Sequence, residues 1–218
     1  MTSRSRNVVR WLSDVPNLRL GFRRPSLAPR RGFTFIEAMV AVSITAMAGV
    51  AILLGVSSAL QSTTAAIEQT VALGMAQQLM DELASKRYAR VPTSPYDTPL
   101  GPTGAESAGP GRSQYTHIGD YNGLASQPPV DPWGISLGTD DGQGGQRNPS
   151  LQAGTYFADW QRSAEVYYVD PANLANRLSG NQTSNYRGAE VHISIQDRSG
   201  TLRPVLTLRR VFAYVPSP

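Results

Sequence analysis

The sequence predicts an α+β chain, a long N-terminal helix packed on a C-terminal antiparallel β-meander, and three observations carry that expectation. No charge occurs between Ala38 and Val56, a run of nineteen residues. An apolar stripe then continues at helical spacing, and the last third of the chain alternates apolar and polar residues as strands do. With Phe33 to Ile36 before it and Ala59-Leu60 after it, the uncharged run is long enough to cross ~30 Å of hydrocarbon as a helix. Residues 33–60 are therefore read as a membrane-spanning helix.

The helical pattern does not stop at the end of that span. Ile67, Val71, Met75, Leu79 and Leu83 recur every fourth residue, Ala72, Ala76 and Met80 widen the stripe, and Glu68, Gln69, Gln77, Asp81 and Lys86 fall on other faces. Residues 61–90 are the amphipathic continuation, and one helix from about Phe33 to Tyr88 is the economical reading. Pro92, followed by Thr93-Ser94-Pro95, forces it to end. Residues 91–154 are rich in Gly, Pro, Ser and Asp and read as loop, pinned by Tyr115, Tyr121 and Trp133.

Residues 155–218 read as an antiparallel β head. Glu165 to Val169 makes a strand ending at Asp170-Pro171, and Val191, Ile193 and Ile195 alternate with His192, Ser194 and Gln196. Asp197-Arg198-Ser199-Gly200 turns into a last strand from Leu202 to Tyr214. Within that strand Leu206 and Leu208 share one parity while Val211 and Ala213 share the other, which predicts a bulge near Arg209-Arg210.

Charge is distributed unevenly. The segment 1–32 holds eight arginines and one acid, Asp14, for +7, whereas the rest holds 12 basic and 15 acidic residues, for −3. The basic balance belongs to a leader, so no nucleic-acid partner is expected. There is no cysteine, which excludes disulfides, catalytic thiols and thiolate metal sites. His117 and His192 are far apart in sequence, and no nucleophile elbow, phosphate loop or paired metal-ligand motif occurs. No enzyme activity is expected, and Arg203, Arg209 and Arg210 read as strand-edge charges that discourage aggregation.

The junction Arg30-Arg31-Gly32-Phe33-Thr34-Phe35-Ile36-Glu37 sets a basic pair and a glycine against an apolar run holding one carboxylate. It resembles the processing site of type IV prepilins and of type II secretion pseudopilins, and a long N-terminal helix on an antiparallel meander is the pilin architecture. The resemblance implies cleavage by a prepilin peptidase between Gly32 and Phe33, removal of leader 1–32, and methylation of the new amino terminus at Phe33. It also implies assembly with other pilin or pseudopilin subunits through an inner-membrane platform, the head lying outside the cytoplasm. A carboxylate inside a span costs a few kcal/mol and marks a functional site with a partner. Here Glu37 would pair with the Phe33 ammonium of a neighbouring subunit and fix its register. The leader is longer than is usual in that family.

Two further resemblances refine the reading. Met75 to Glu82 and the terminal hairpin with its arginine-rich last strand are similar to minor pilins or minor pseudopilins. Asp131-Pro132-Trp133-Gly134 followed by 136–145 resembles the calcium loop of major pseudopilins, which would make Asp140 and Asp141 calcium ligands. Gln146-Arg147-Asn148-Pro149 supplies no late acidic ligand, however, and the loop precedes the strands. A flexible glycine loop with two solvated aspartates and no cofactor is the expectation. The whole then reads as a structural subunit, a minor one, of a pseudopilus or pilus. The alternatives are ordinary signal cleavage after Ser57-Ser58-Ala59, or a single-span membrane-anchored binding module outside any filament.

Overall fold

The computed structural model describes residues 32–90 and 94–216. The basic leader up to Arg31 and the break at Val91-Pro92 lie outside them. The chain divides into two compact units, Met1–Leu54 and Gly55–Pro218.

Helix α1 runs Phe35–Ala84, a little inside the expected limits at both ends. It is long and apolar enough to cross a membrane, and every residue from Gly32 to Ile67 is exposed. In the first unit the hydroxyls that interrupt the apolar run bond to their own helix. Ser43 donates to the Met39 carbonyl and Thr45 to the Ala41 carbonyl, each at 2.8 Å. In lipid such groups have no water to turn to, so this bonding makes them tolerable there.

In the second unit α1 buries Ala72, Met75, Ala76, Leu79, Met80 and Leu83, the stripe read from the spacing. Ile67 stays outside it. The stripe packs on a five-stranded antiparallel sheet of β1 (Leu124–Ser126), β2 (Trp160–Asp170), β3 (Asn173–Arg177), β4 (Tyr186–Gln196) and β5 (Leu202–Ala213). Their order is β1-β2-β4-β5, with β3 pairing the end of β2. Alternation sets the core face: Trp160, Ala164 and Val166 of β2 and Ala189, Val191 and Ile193 of β4 are buried with the helix stripe. Burying one such aliphatic side chain contributes roughly 1.5–3 kcal/mol, so this layer is the main stabilising contact of the head.

Three expectations change. The first strand comes from Leu124–Ser126, inside the stretch read as loop, where a three-residue strand leaves no alternation to detect. The pairing of β4 with β5 is regular at Arg209 and Arg210, and the register shift lies between Ile193 and Ser194, opposite Leu206 and Pro204. Val205 is the extra residue, beside a proline that cannot donate to the ladder. Leu206, Leu208 and Phe212 therefore keep one face throughout, packed against the core, and Val211 is on the other. Third, Tyr115 and Tyr121 are buried as expected, but Trp133 is 43% exposed.

Candidate functional site

The residues singled out for processing and assembly lie together at the head of α1. Gly32 precedes the helix in open space, with no atom within 4 Å of where a Cβ would stand, and Phe33 is 79% exposed. Thr34 caps the helix. Glu37 Oε2 accepts from the Thr34 backbone N–H and from its hydroxyl, both at 2.9 Å, while the Glu37 N–H donates back to the Thr34 hydroxyl at 3.3 Å. This is the reciprocal arrangement of a capping box, in which two amides otherwise without partners at a helix start are satisfied at once. Glu37 thus has a partner three residues away in its own chain. The sequence signal was the Thr-x-x-Glu spacing ahead of an apolar run.

The acidic loop belongs to the second unit. Asp140 is buried, its Oδ1 accepting the Gly138 amide at 2.9 Å. Its carbonyl accepts from Arg147 Nε, so the arginine that departed from the calcium pattern closes the loop. Asp141 is exposed, and its Oδ1 accepts the amides of Gln143 and Gly145 at 2.8 Å each. Those two amides, Gln143 first, hold its carboxyl below the usual range. The expectation of two solvated aspartates in a flexible loop is corrected for Asp140, because turn amides draw it inward.

Three buried arginines, none singled out from sequence, tie the middle segment to helix and sheet. Arg112 is bidentate to Glu82, Nε to Oε1 at 3.0 Å and Nη2 to Oε2 at 2.8 Å, and donates to the Val130 carbonyl at 3.1 Å. The Tyr121 hydroxyl adds a bond to Glu82 Oε1 at 2.8 Å. Arg162 also donates to the Val130 carbonyl, and to Gln78 Oε1 at 3.2 Å. Burial pushes its pKa down to about 10. Arg187 donates to the Tyr88 and Pro95 carbonyls and to the Tyr168 hydroxyl, and lies over the Tyr88 ring at 4.4 Å. Buried guanidiniums need such partners, and here the Nη groups carry most of them, the Nε atoms of Arg162 and Arg187 being buried without a hydrogen bond. A signal was present, since Arg162 shares parity with Trp160, Ala164 and Val166, and Arg187 with Ala189, Val191 and Ile193.

Among the described residues, one set of side chains comes close enough to hold a metal: Glu106, His117 and Asp120, whose ligand atoms lie within 4.8 Å of one another. Each atom is already engaged. Arg90 Nη2 reaches Glu106 at 2.9 Å and Asp120 at 3.3 Å, and His117 Nδ1 is 2.8 Å from Asp120. The Thr116 and His117 amides donate to Asp120 Oδ2 at 2.8 and 3.1 Å. Burial pushes the His117 pKa down. A guanidinium against both carboxylates makes this an ion-pair network that fastens the loop, the place a metal would take being filled by a cation of the chain.

Gly111 shows how tightly the loops meet. Its φ is +71°, and a Cβ there would stand 2.3 Å from the Gly134 nitrogen and 2.5 Å from the Pro132 carbonyl oxygen, so only glycine fits.

No curated protein and no solved structure matches the chain. The family model described as the prokaryotic N-terminal methylation motif matches residues 27–53, the stretch that holds the Gly32-Phe33 junction, the Thr34–Glu37 cap and the opening of α1. With an apolar helix led by this motif and an antiparallel head, the chain carries the signature of the type IV pilins and pseudopilins.

Proposed function

We propose that this protein is a structural subunit, a minor one, of a type II secretion pseudopilus or a type IV pilus. The observation that carries the reading is the N-terminal methylation motif over residues 27–53, placed where an exposed glycine leads directly into a helix able to span a membrane. Before assembly the chain is held in the inner membrane by α1, its head outside the cytoplasm. Prepilin peptidase cuts between Gly32 and Phe33 and methylates Phe33, and the subunit then joins others through its apolar helix.

Glu37 is the charge that sets register. In the single chain its carboxylate is occupied by Thr34, which lowers the cost of carrying it in the membrane. In the filament the Phe33 ammonium of a neighbour is the stronger partner, because two opposite charges attract strongly in a low dielectric. The role is structural and not catalytic, and the acidic loop serves as folded backbone without calcium. That last point is supported by Asp140 and Asp141 spending carboxylate oxygens on turn amides.

The test is co-expression with a prepilin peptidase and mass spectrometry of the amino terminus. The mature chain begins at N-methylated Phe33, and Gly32→Val blocks cleavage by crowding the scissile bond. A mature chain beginning at Leu60 would overturn the reading in favour of ordinary signal cleavage.

A further inference from the structure

The long open edge of the head sheet belongs to β5. At the other side β2 is covered by β1 over three residues and by β3 at its far end, whereas β5 offers twelve residues with pairing on one side only. Apart from its ladder with β4 and the Tyr214 amide that follows it, no backbone group of this strand joins a hydrogen bond among the described residues. An exposed edge of this length is a template for another strand. Beside it runs a groove of about 490 Å³ between α1 and β5, lined by Gln77, Met80, Asp81, Leu208, Arg209 and Arg210.

Charge decides the occupant. From Arg198 to Pro216 the chain holds Arg198, Arg203, Arg209 and Arg210 and no acidic residue. Two are engaged within the head, Arg203 by Glu68 at 2.7 Å and Arg209 by Glu190 at 3.4 Å. Among the described residues the ion pair of Arg210 is with Asp81, at 4.0 Å, with side chains 54% and 79% exposed, and its guanidinium lies over the Phe212 ring at 5.9 Å. Arg198 makes no ion pair among the described residues. A second copy of β5 would add three more arginines and no acid to this edge, and like charges on neighbouring strands are destabilising. An acidic strand has the opposite balance.

We infer that the edge of β5 receives an extended acidic segment of another polypeptide as a sixth strand, with a carboxylate set against Arg210. The incoming main chain takes up the unpaired amides and carbonyls, its alternate apolar side chains extend the layer begun by Leu206, Leu208 and Phe212, and its acid gives Arg210 a closer partner than Asp81.

The experiment uses the full chain in detergent micelles and two peptides of about ten residues, each alternating valine with serine except at one central valine position, which holds glutamate in the first and lysine in the second. Amide hydrogen exchange over residues 202–213 is followed by mass spectrometry as each peptide is raised to millimolar concentration. The glutamate peptide slows exchange across β5 and the lysine peptide does not. Arg210→Glu weakens that protection about fivefold while Arg210→Lys retains it, with matched melting curves showing that both variants fold. Equal protection by the two peptides, protection confined to other strands, or none from either would overturn the inference. So would β5 protection that deepens with protein concentration alone, the mark of a second copy at that edge.

Discussion

Glu82, in the last turn of α1, receives the Arg112 guanidinium at 3.0 and 2.8 Å across thirty positions of chain. The pair fastens the irregular middle segment to the helix, with Tyr121 bonded to the same carboxylate and the Val130 carbonyl to the same guanidinium. Removing one partner strands the other. Glu82→Gln is expected to cost about 3 kcal/mol, since the Arg112 side chain is 1% exposed and cannot turn to water. In a chain of this size that is a fall of about 10 °C in melting temperature. Replacing both residues with leucine and methionine should recover much of the loss, which thermal unfolding in detergent would show.

The Glu106 carboxyl is subject to opposing effects. Burial pushes its pKa up, but the Thr103 amide and hydroxyl, the Thr116 hydroxyl and Arg90 outweigh it and hold it at about 2, below an ordinary 4.5. A carboxylate depressed in the folded state contributes stability that is fully present above its unfolded pKa and lost as pH falls toward the folded one. Glu106→Gln is accordingly less stable than the parent at pH 7. The difference should shrink between about 4.5 and about 2, and a constant gap over that range in melts at stepped pH would count against the network.

Glu37→Val should leave membrane insertion intact, since the segment becomes uniformly apolar, and cleavage should persist because Gly32-Phe33 is untouched. Assembly is expected to fail. On the proposed assembly, the Phe33 ammonium of a neighbour would lose its counter-charge, a penalty on the order of a few kcal/mol per contact. Because the variant also removes the cap, Thr34→Val is the control. It breaks the box at a cost of about 1 kcal/mol but keeps the carboxylate. Crosslinking and co-purification with the other subunits should find Thr34→Val incorporated and Glu37→Val absent, and normal incorporation of both would make Glu37 a bystander.

Chelation of calcium is expected to leave the melting temperature unchanged. The Asp140 and Asp141 carboxylates hold the loop through amides of Gly138, Gln143 and Gly145, and Asn at both positions preserves those acceptors. The double Asn variant should melt near the parent, and the double Ala variant lower by about 1–3 kcal/mol for the lost bonds. A drop of several degrees on chelation, absent in the Asn variant, would establish a calcium site.

How much of this was legible follows from how local each signal is. The α1 stripe from Ala72 to Leu83, the alternation of Val191 and Ile193 and the Asp197 to Gly200 turn are written in consecutive residues, so spacing alone reveals them. The Gly32-Phe33 junction and Glu37 are local too. The Thr34 cap is equally local, a Thr-x-x-Glu spacing ahead of an apolar run. The bulge lies away from Arg209-Arg210 because Phe212 continues the face of Leu206 and Leu208, which the parity of Val211 and Ala213 alone does not show.

By itself, then, the sequence determined the apolar helix, its N-terminal methylation motif, the helix stripe and the central strand of the sheet, because each is a period or a motif within one short stretch. Tertiary structure alone decided the partners of Arg112, Arg162 and Arg187, the network of Arg90 with Glu106 and Asp120, and the open edge of β5. Those depend on segments sixteen to ninety-nine residues apart meeting in space. A buried guanidinium is stable only where several carbonyls and carboxylates converge on it, and no spacing along the chain encodes that convergence.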